Sequence, residues 1–572
     1  MNSIKYRDSH YAFRMITDLK DMVNSSAELF GDKEAYLVKD TPGGKYKPIL
    51  YSQFKDDIDN LGTALLDMGL EGSKIGLIGE NRYEWVISYL AVTNGVGVIV
   101  PLDRELGHEE IGSFMTRAGV NTIIYSSKLE RTVEMVAETM PCDLMMISMD
   151  AVTDDENHKS LRKLITSGSH MVKAGKHAYL NAKIDPEVMC SLLFTSGTTG
   201  VPKGVMLSHK NIVTNVYAMS KYVNVSYNDT SLSVLPIHHT YEFTCHLMTA
   251  AYQGCRVAFC EGLKYIVRNM AESGASVLLA VPLIFENMHR KVWKNAEAKG
   301  KAKKMQKVLA ISKLLGGQNI KATKRLFKDV YQAMGGKMRL MISGAAAIDP
   351  IVIDDFCAMG MTMIQGYGMT ECAPIITLNR DRYSKAASAG VALPGTEVRI
   401  IDGDENGIGE VICRSDSVMI GYYEDPEGTA QTLMDGWLHT GDYGYLDPEG
   451  FLFITGRKKN LIVTKNGKNI SPEELETYLY RIPLIAEVIV KGKDDPKNGD
   501  TIICADIFPD SEYIKSAYGE ETKPDEIKRL LKTELDKVNE KLPIYKRIRR
   551  FTVREQPFEK TSTQKIIRNS IK

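Results

Sequence analysis

Apolar positions along this chain fall into two alternating textures. Short, nearly continuous apolar runs at residues 74–79, 97–100 and 122–125 read as buried strands, while the stretches between them, 83–92 and 106–118, read as helices. The alternation predicts βαβ units and a mainly parallel sheet. Residues 276–281 and 338–342 read as further buried strands. Each ends near a polar or glycine-bearing turn, where open α/β sheets bind ligands.

The texture changes after Pro394. Short β segments at 397–401, 409–413 and 451–454 are separated by Gly, Asp and Pro turns, which suits a small barrel. Beyond Gly456 a fresh pattern begins: a glycine turn at Asn466 and Gly467, a helix start at Ser471, and strands at 486–490 and 501–508. Ser471 as N-cap, Pro472 at the first helical position and Glu474 three residues after the cap form that start signal. The predicted fold is α/β, with the domain boundary at 457–460. A large N-terminal domain spans 1–456, with parallel α/β sheets and a barrel-like part at about 390–456, and a small α+β C-terminal domain spans 457–572.

Composition narrows the function. At 572 residues, 44% hydrophobic and 25% charged, the chain is globular and too long for one core. Its 72 basic and 72 acidic residues cancel, so nothing global points to nucleic acid or to an anionic membrane. Nine scattered cysteines with no C-x-x-C pair argue against a zinc site and a disulfide framework, and point to a reducing cytoplasm. The first residues are polar with no apolar export segment, and the longest apolar stretch, 88–101, is too short to span a bilayer. One local charge run stands out. Residues 291–328 hold twelve Lys or Arg against one acid, Glu297, with Met305, Val308, Leu309 and Leu315 near helical spacing. The segment reads either as a solvated helix packed on the large domain or as a patch for a membrane surface or an acidic partner.

Candidate chemistry concentrates in residues 194–204, after the apolar run 189–193. The loop holds Gly197, Gly200 and Gly204, the hydroxyls of Thr195, Ser196, Thr198 and Thr199, and Lys203. Glycines let the backbone approach an anion, freed N–H groups and hydroxyls donate to its oxygens, and the lysine adds a mobile positive charge. These are the parts of a polyphosphate-gripping loop. Pro202 and Gly204 break the P-loop spacing, which disfavours a P-loop ATPase; a solvated Gly/Thr turn is the competing reading. A second cluster places Gly366, Tyr367, Gly368, Met369, Thr370 and Glu371 in succession. Tyr367 suits stacking on a purine, Thr370 donation to a phosphate or carboxylate, and Glu371 a magnesium ion. A strand-to-loop turn with a surface glutamate is the alternative.

Followed by residues 205–209, the 194–204 loop closely resembles the signature of the adenylate-forming superfamily: acyl-CoA synthetases, luciferases and peptide-synthetase adenylation domains. The resemblance spans about residues 25–570, with five motifs in the family order. It implies that the loop holds the ATP triphosphate while a carboxylate attacks the α-phosphorus. It further implies Thr195 and Glu371 at the magnesium, Gly344 and Ala345 lining the adenine beside Tyr367, and Asp442 on the ribose hydroxyls with help from Arg457. By the same analogy Lys459 is the hinge of a mobile small domain, and Lys565 is the adenylation lysine that neutralises charge as the pentavalent phosphorus forms. Gln564 stands where many members carry glycine.

Residues 235–242 resemble the motif that floors the carboxylate pocket, in the form of the long-chain fatty acyl subgroup, with His239 and Tyr241 as acyl-binding candidates. A buried structural histidine competes as the reading of His238 or His239. No acid stands where an amino-acid substrate would need one, which favours a plain carboxylic acid. The implied protein is an ATP-dependent carboxylic acid:CoA ligase of the long-chain acyl-CoA synthetase type, with Thr370, Glu371 and Lys565 as catalytic residues. Its cofactors and partners are ATP, Mg²⁺, coenzyme A and a fatty or related acid, with no nucleic acid. Peripheral contact with the inner face of the membrane stays open, as does monomer or homodimer. An acyl-AMP ligase or acyl-carrier-protein synthetase is the enzymatic alternative, disfavoured because Arg457 runs into residues 465–473 without a long insertion. A non-catalytic membrane-associated scaffold is the other, disfavoured because Lys203, Glu371, Asp442 and Lys565 are all present.

Overall fold

Each apolar run of the first texture forms a strand in the computed structural model, which describes residues 10–155, 158–195, 202–314, 320–463, 469–494, 501–560 and 566–568. Lys74–Ile78, Val98–Pro101, Thr122–Tyr125, Val277–Ala280 and Leu340–Ser343 are almost wholly buried, as strands covered on both faces must be. Tyr83–Thr93 and His108–Ala118 are the helices between the first three.

The strands sort into two large sheets. One has eight strands, in the order Gly421–Tyr422, Lys203–Ser208, Met189–Thr195, Val98–Pro101, Lys74–Ile78, Thr122–Tyr125, Met145–Ser148, His158–Ser160. Its centre is parallel, whereas Met189–Thr195 and Lys203–Ser208 run antiparallel. The other has nine strands, parallel from Thr362–Gly368 through Leu340–Ser343, Val277–Ala280, Thr230–Ser233 and Arg256–Phe259 to Glu34–Val38, with antiparallel edges.

Consecutive strand residues face opposite sides of a sheet, so one strand serves two cores. Leu279 belongs to a central core that also takes Ile75 and Leu77 from the other sheet and Trp85, Val216 and Leu247 from helices. Its neighbour Leu278 belongs to an outer core with Met341, Met363 and Phe356. That outer core takes Leu309, and beside it the partly buried Met305 and Val308, from the Lys-rich helix Ala302–Leu314. The apolar stripe seen in the sequence there is turned inward; Leu315 lies outside the described residues.

A smaller five-stranded sheet follows, in the order Glu397–Ile401, Gly409–Arg414, Trp437–Leu446, Leu433–Met434, with Leu452–Arg457 also on Trp437–Leu446. Ile485–Asp494, Thr501–Pro509 and Ile548–Val553 form a three-stranded sheet over helices Pro472–Leu479 and Pro524–Lys541, with its own core around Leu475, Val488 and Leu531. Ser471 caps Pro472–Leu479, its side chain accepting from the Glu474 N–H at 3.4 Å. The Glu474 carboxylate binds Lys546 at 2.6 Å instead of completing a capping box. The chain divides into two compact units, residues 1–398 with 413–438 and residues 399–412 with 439–572. Among the described residues no helix is long and apolar enough to cross a membrane.

Candidate active site

The candidate polyphosphate loop joins two antiparallel strands whose last pair is Thr195 opposite Lys203. Ser196, Gly197, Thr198, Thr199 and Gly200 lie outside the described residues. The feet of the loop are firmly held. Phe194 stacks on Phe114 with centroids 4.6 Å apart, the Arg117 guanidinium lies over Phe194 and donates to the Pro202 carbonyl at 2.7 Å, and the Tyr423 N–H donates to the Gly204 carbonyl at 2.7 Å. The Thr195 hydroxyl donates to the Lys203 carbonyl at 3.4 Å.

Lys203 points across the neighbouring strand. Its ammonium is 4.2 Å from the Tyr422 ring centroid and 3.6 Å from the Asp425 carboxylate. The Tyr422 hydroxyl donates in turn to Glu371 Oε1 at 2.8 Å, so the loop lysine and the candidate magnesium ligand share one tyrosine. Burial first, then the Glu371 charge, pushes the Tyr422 phenol well above its usual range, which keeps it a donor at any ordinary pH. Tyr422 and Asp425 carry no motif of their own. Only the pairing of Gly421–Tyr422 with Lys203–Ser208 brings them here.

Register places Ser343 beside Gln365, so Gly344, just past its strand, and Gly366, still paired with Leu378, stand at the same level of the nine-stranded sheet. Gly344 is a close approach: a Cβ there would stand 2.6 Å from the Tyr241 ring. Gly368 is another, with a Cβ only 1.9 Å from the Pro374 carbonyl. Ala345 holds φ +70°, a region that side-chain-bearing residues enter rarely. Tyr367 and Met369 are half-buried against the small cluster of Cys372, Ile376, Cys413 and Leu438, and Thr370 opens the single turn Thr370–Cys372.

Behind this edge lies an apolar cavity of about 60 Å³. Tyr241, Gly344 and Gly366 line one end, and Val225, Gln253 and Cys255 the other. Val277, also on its wall, pairs with Leu340, four residues before the level of Gly344, or about 13 Å along the strands. Tyr241 and Gln253 are twelve helical positions apart, about 18 Å. The space is long and thin. Tyr241, a candidate from the sequence, shares this wall with Cys245, His246, Thr249 and Gln253, none of which the motif reading named. His239 does not line this cavity. It sits half-buried with the buried His238, ring centroids 4.1 Å apart, and His238 Nε2 is 3.4 Å from Asp103 Oδ2. Those three are the one trio of metal-type donors found among the described residues.

In the second unit, Asp442 on Trp437–Leu446 pairs across the strands with Arg457, and Arg457 Nε is 3.0 Å from the buried Asp442 carboxylate. Lys458 binds the buried Glu410 at 2.9 Å. Lys459 lies in the turn Lys458–Asn460, where partial burial and then Arg457 lower its pKa. Lys565 lies outside the described residues.

An α/β scaffold with a Gly- and Thr-rich segment between two strands of one sheet and an apolar slot along the other narrows the class, and comparison with known proteins gives the class its family. The chain matches the AMP-binding enzyme family over residues 23–423 and the AMP-binding enzyme C-terminal domain over 459–572, and it belongs to that family. It is 31% identical over 565 residues to long-chain-fatty-acid–CoA ligase 5 of Rattus norvegicus, covering 90% of this chain and 80% of that one. Long-chain-fatty-acid–CoA ligase 1 of Homo sapiens is 29% identical over 504 residues, covering 83% and 71%. The fold is that of an anthranilate CoA ligase bound to anthranoyl-AMP, with TM-score 0.76 at 20% identity over 97% of this chain and 96% of that one. It is also that of the o-succinylbenzoate CoA synthetase of Bacillus subtilis bound to ATP and magnesium, with TM-score 0.71 at 20% identity over 96% and 98%.

Proposed function

We propose that this protein is an AMP-forming acid:CoA ligase that activates a long-chain fatty acid. The observation that carries the reading is the thin apolar cavity lined at one end by Gly344 and Gly366, the latter five residues before Glu371 and its Tyr422–Lys203 cluster. An acyl chain that entered and widened that slot would leave its carboxylate at the polar edge.

In the first half-reaction a carboxylate oxygen bonds to the α-phosphorus of ATP and the bond to pyrophosphate breaks. Lys203 and the hydroxyls of Thr195, Ser196, Thr198 and Thr199 counter the triphosphate charge, and Thr370 donates to the reacting oxygens. Glu371 and Thr195 offer the hard oxygen donors that magnesium takes, and Tyr422 engages one Glu371 oxygen. Bound there, the ion would neutralise phosphate charge. Gly344, Ala345, Gly366, Tyr367, Gly368 and Met369 form the adenine bed, and Asp442 with Arg457 holds the ribose. Lys565 completes adenylation from the small domain, 457–572. That domain then turns about Lys459, and the CoA thiol attacks the acyl carbon, expelling AMP. No enzyme nucleophile is required; the work is positioning and charge compensation. The test is a pyrophosphate-release screen of fatty, aryl and amino acids with ATP and Mg²⁺, with and without CoA. Long-chain fatty acids should score highest, with thioester appearing only with CoA; release with amino acids alone would refute the reading.

We also infer peripheral contact with an anionic membrane through the Lys-rich helices. Ile311, Leu314 and Leu326 are 57%, 87% and 65% exposed beside the exposed Lys303, Lys304 and Lys307. Each interfacial lysine contributes about 1 kcal/mol against such a leaflet, an attraction that salt removes. Changing Lys303, Lys304 and Lys307 to Glu should abolish low-salt co-sedimentation with anionic vesicles and spare activity on a short soluble acid. Wild-type protein that ignores those vesicles refutes the contact.

A further inference from the structure

One wall of the apolar cavity is a continuous helical run, Thr240–Glu242, Phe243–Met248 and Thr249–Gln253, and its middle part is wound as a π-helix. Such turns are rare and concentrate at functional sites. Here the wide turn carries His246, which lines the cavity. Behind it stands the wholly buried Glu242, whose Oε1 lies 2.9 Å from His246 Nδ1 and accepts from the Ser233 hydroxyl at 2.5 Å. His246 Nε2 is buried and has no hydrogen-bond partner. An unsatisfied buried polar atom costs stability unless something that binds there pays it back.

The other polar groups of the wall are committed. Thr249 donates to the Thr244 carbonyl at 3.1 Å, and the Tyr241 hydroxyl points to the Ile342 and Ala280 carbonyls at 3.3 and 3.4 Å. Gln253 binds Ser220, the Val223 carbonyl and the Val225 N–H. Ser343 Oγ is also unpartnered, but it sits at the nucleotide edge beside Gly344, where the substrate carboxylate is already placed. His246 therefore offers a lone polar atom part-way down an apolar slot. With Nδ1–H directed at Glu242, Nε2 accepts in the neutral ring and donates in the imidazolium. A hydroxyl is the group that pairs with either form.

We propose that His246 reads a hydroxyl on the acyl chain, so that the preferred substrate is a long-chain acid hydroxylated part-way along its length, with Glu242 and Ser233 as positioning residues that fix the ring. The inference rests on the reading of this cavity as the acyl site. The experiment measures kcat/KM for pyrophosphate release on an unsubstituted long-chain acid and on acids of equal length with one hydroxyl moved along the chain. Wild-type protein, His246→Leu and His246→Gln are compared. Wild type should favour one hydroxyl position over the plain acid by about tenfold or more. His246→Leu should reverse that order and His246→Gln should keep part of it. A wild-type enzyme that handles the plain acid as well as every hydroxylated one overturns the proposal without help from any variant, as does a preference unchanged in His246→Leu. If neither plain nor hydroxylated acids release pyrophosphate, the acyl-site reading itself has failed.

Discussion

The polar edge and the apolar slot of the large unit are built from the same strands in opposite ways. Leu340–Ser343 and Thr362–Gly368 lend the slot Ile342 and Gly366, and within a few residues the chain reaches the exposed Ala345, the half-buried Tyr367 at the end of its strand and the half-buried Glu371 in the turn that follows. Charge on a triphosphate must be met by groups that can reach and rearrange, which is what the residues proposed at this edge, with the long arm of Lys203, would supply. An alkyl chain offers only surface, which rigid element faces with almost every polar atom paired, as in the slot, would suit. The lesson is that damage should separate. Changes at the edge should strike ATP and chemistry, and changes in the slot should strike chain recognition.

The largest effect is expected at Lys565. Lys565→Ala should lower acyl-AMP formation on the order of 10²–10³-fold, as removal of a transition-state charge partner does, and spare thioester formation from preformed acyl-AMP. Separate half-reaction assays check this, and equal loss in both would make the lysine structural. A smaller loss is expected at the loop. Lys203→Ala should raise KM for ATP on the order of tenfold, with KM for the fatty acid unchanged; a variant that binds ATP normally would take the phosphate role from the loop.

A separate effect, on stability, sharpens the rule that buried polar groups are committed. His209 is buried, with Nδ1 accepting from the Leu19 N–H at 3.2 Å and Nε2 at 3.0 Å from the Thr93 carbonyl, and desolvation lowers its pKa to about 4 from 6.5. A depressed folded pKa means stability that is present above the unfolded value and lost as pH falls through the folded one. The window is therefore pH 6.5 down to 4, with about 2 kcal/mol lost by pH 5. Unfolding of wild type and His209→Gln at pH 7 and pH 5 checks it, since the variant should lose less on acidification.

The same contrast explains what the sequence disclosed. The residues proposed to grip the nucleotide, 194–204 and 366–371, are contiguous, so their residue types could be read directly from the sequence. Strands such as Thr122–Tyr125 and the Ser471 cap were equally local and equally legible. The slot was not, because its wall is drawn from residues 219 to 378, and the π-turn that aims His246 leaves no mark in helical spacing. Tyr422 reaches Glu371 only through pairing of Gly421–Tyr422 with a strand more than two hundred residues earlier. The Lys-rich segment showed its apolar stripe, yet only packing reveals that Leu309 turns inward while Leu314 faces water.

The most direct test of the central claim is the chain-length profile of Ala250→Phe. Ala250 is buried on the slot wall between Tyr241 and Gln253, away from the loop and from Glu371, so a phenyl ring there fills the space an acyl tail would use. Pyrophosphate release is measured on a series of fatty acids from short to long, with KM for ATP determined on the shortest. The account predicts that activity on long-chain acids falls at least a hundredfold while short acids and KM for ATP stay within a few-fold of wild type. A profile that keeps its long-chain preference would place the acyl chain elsewhere and contradict the account.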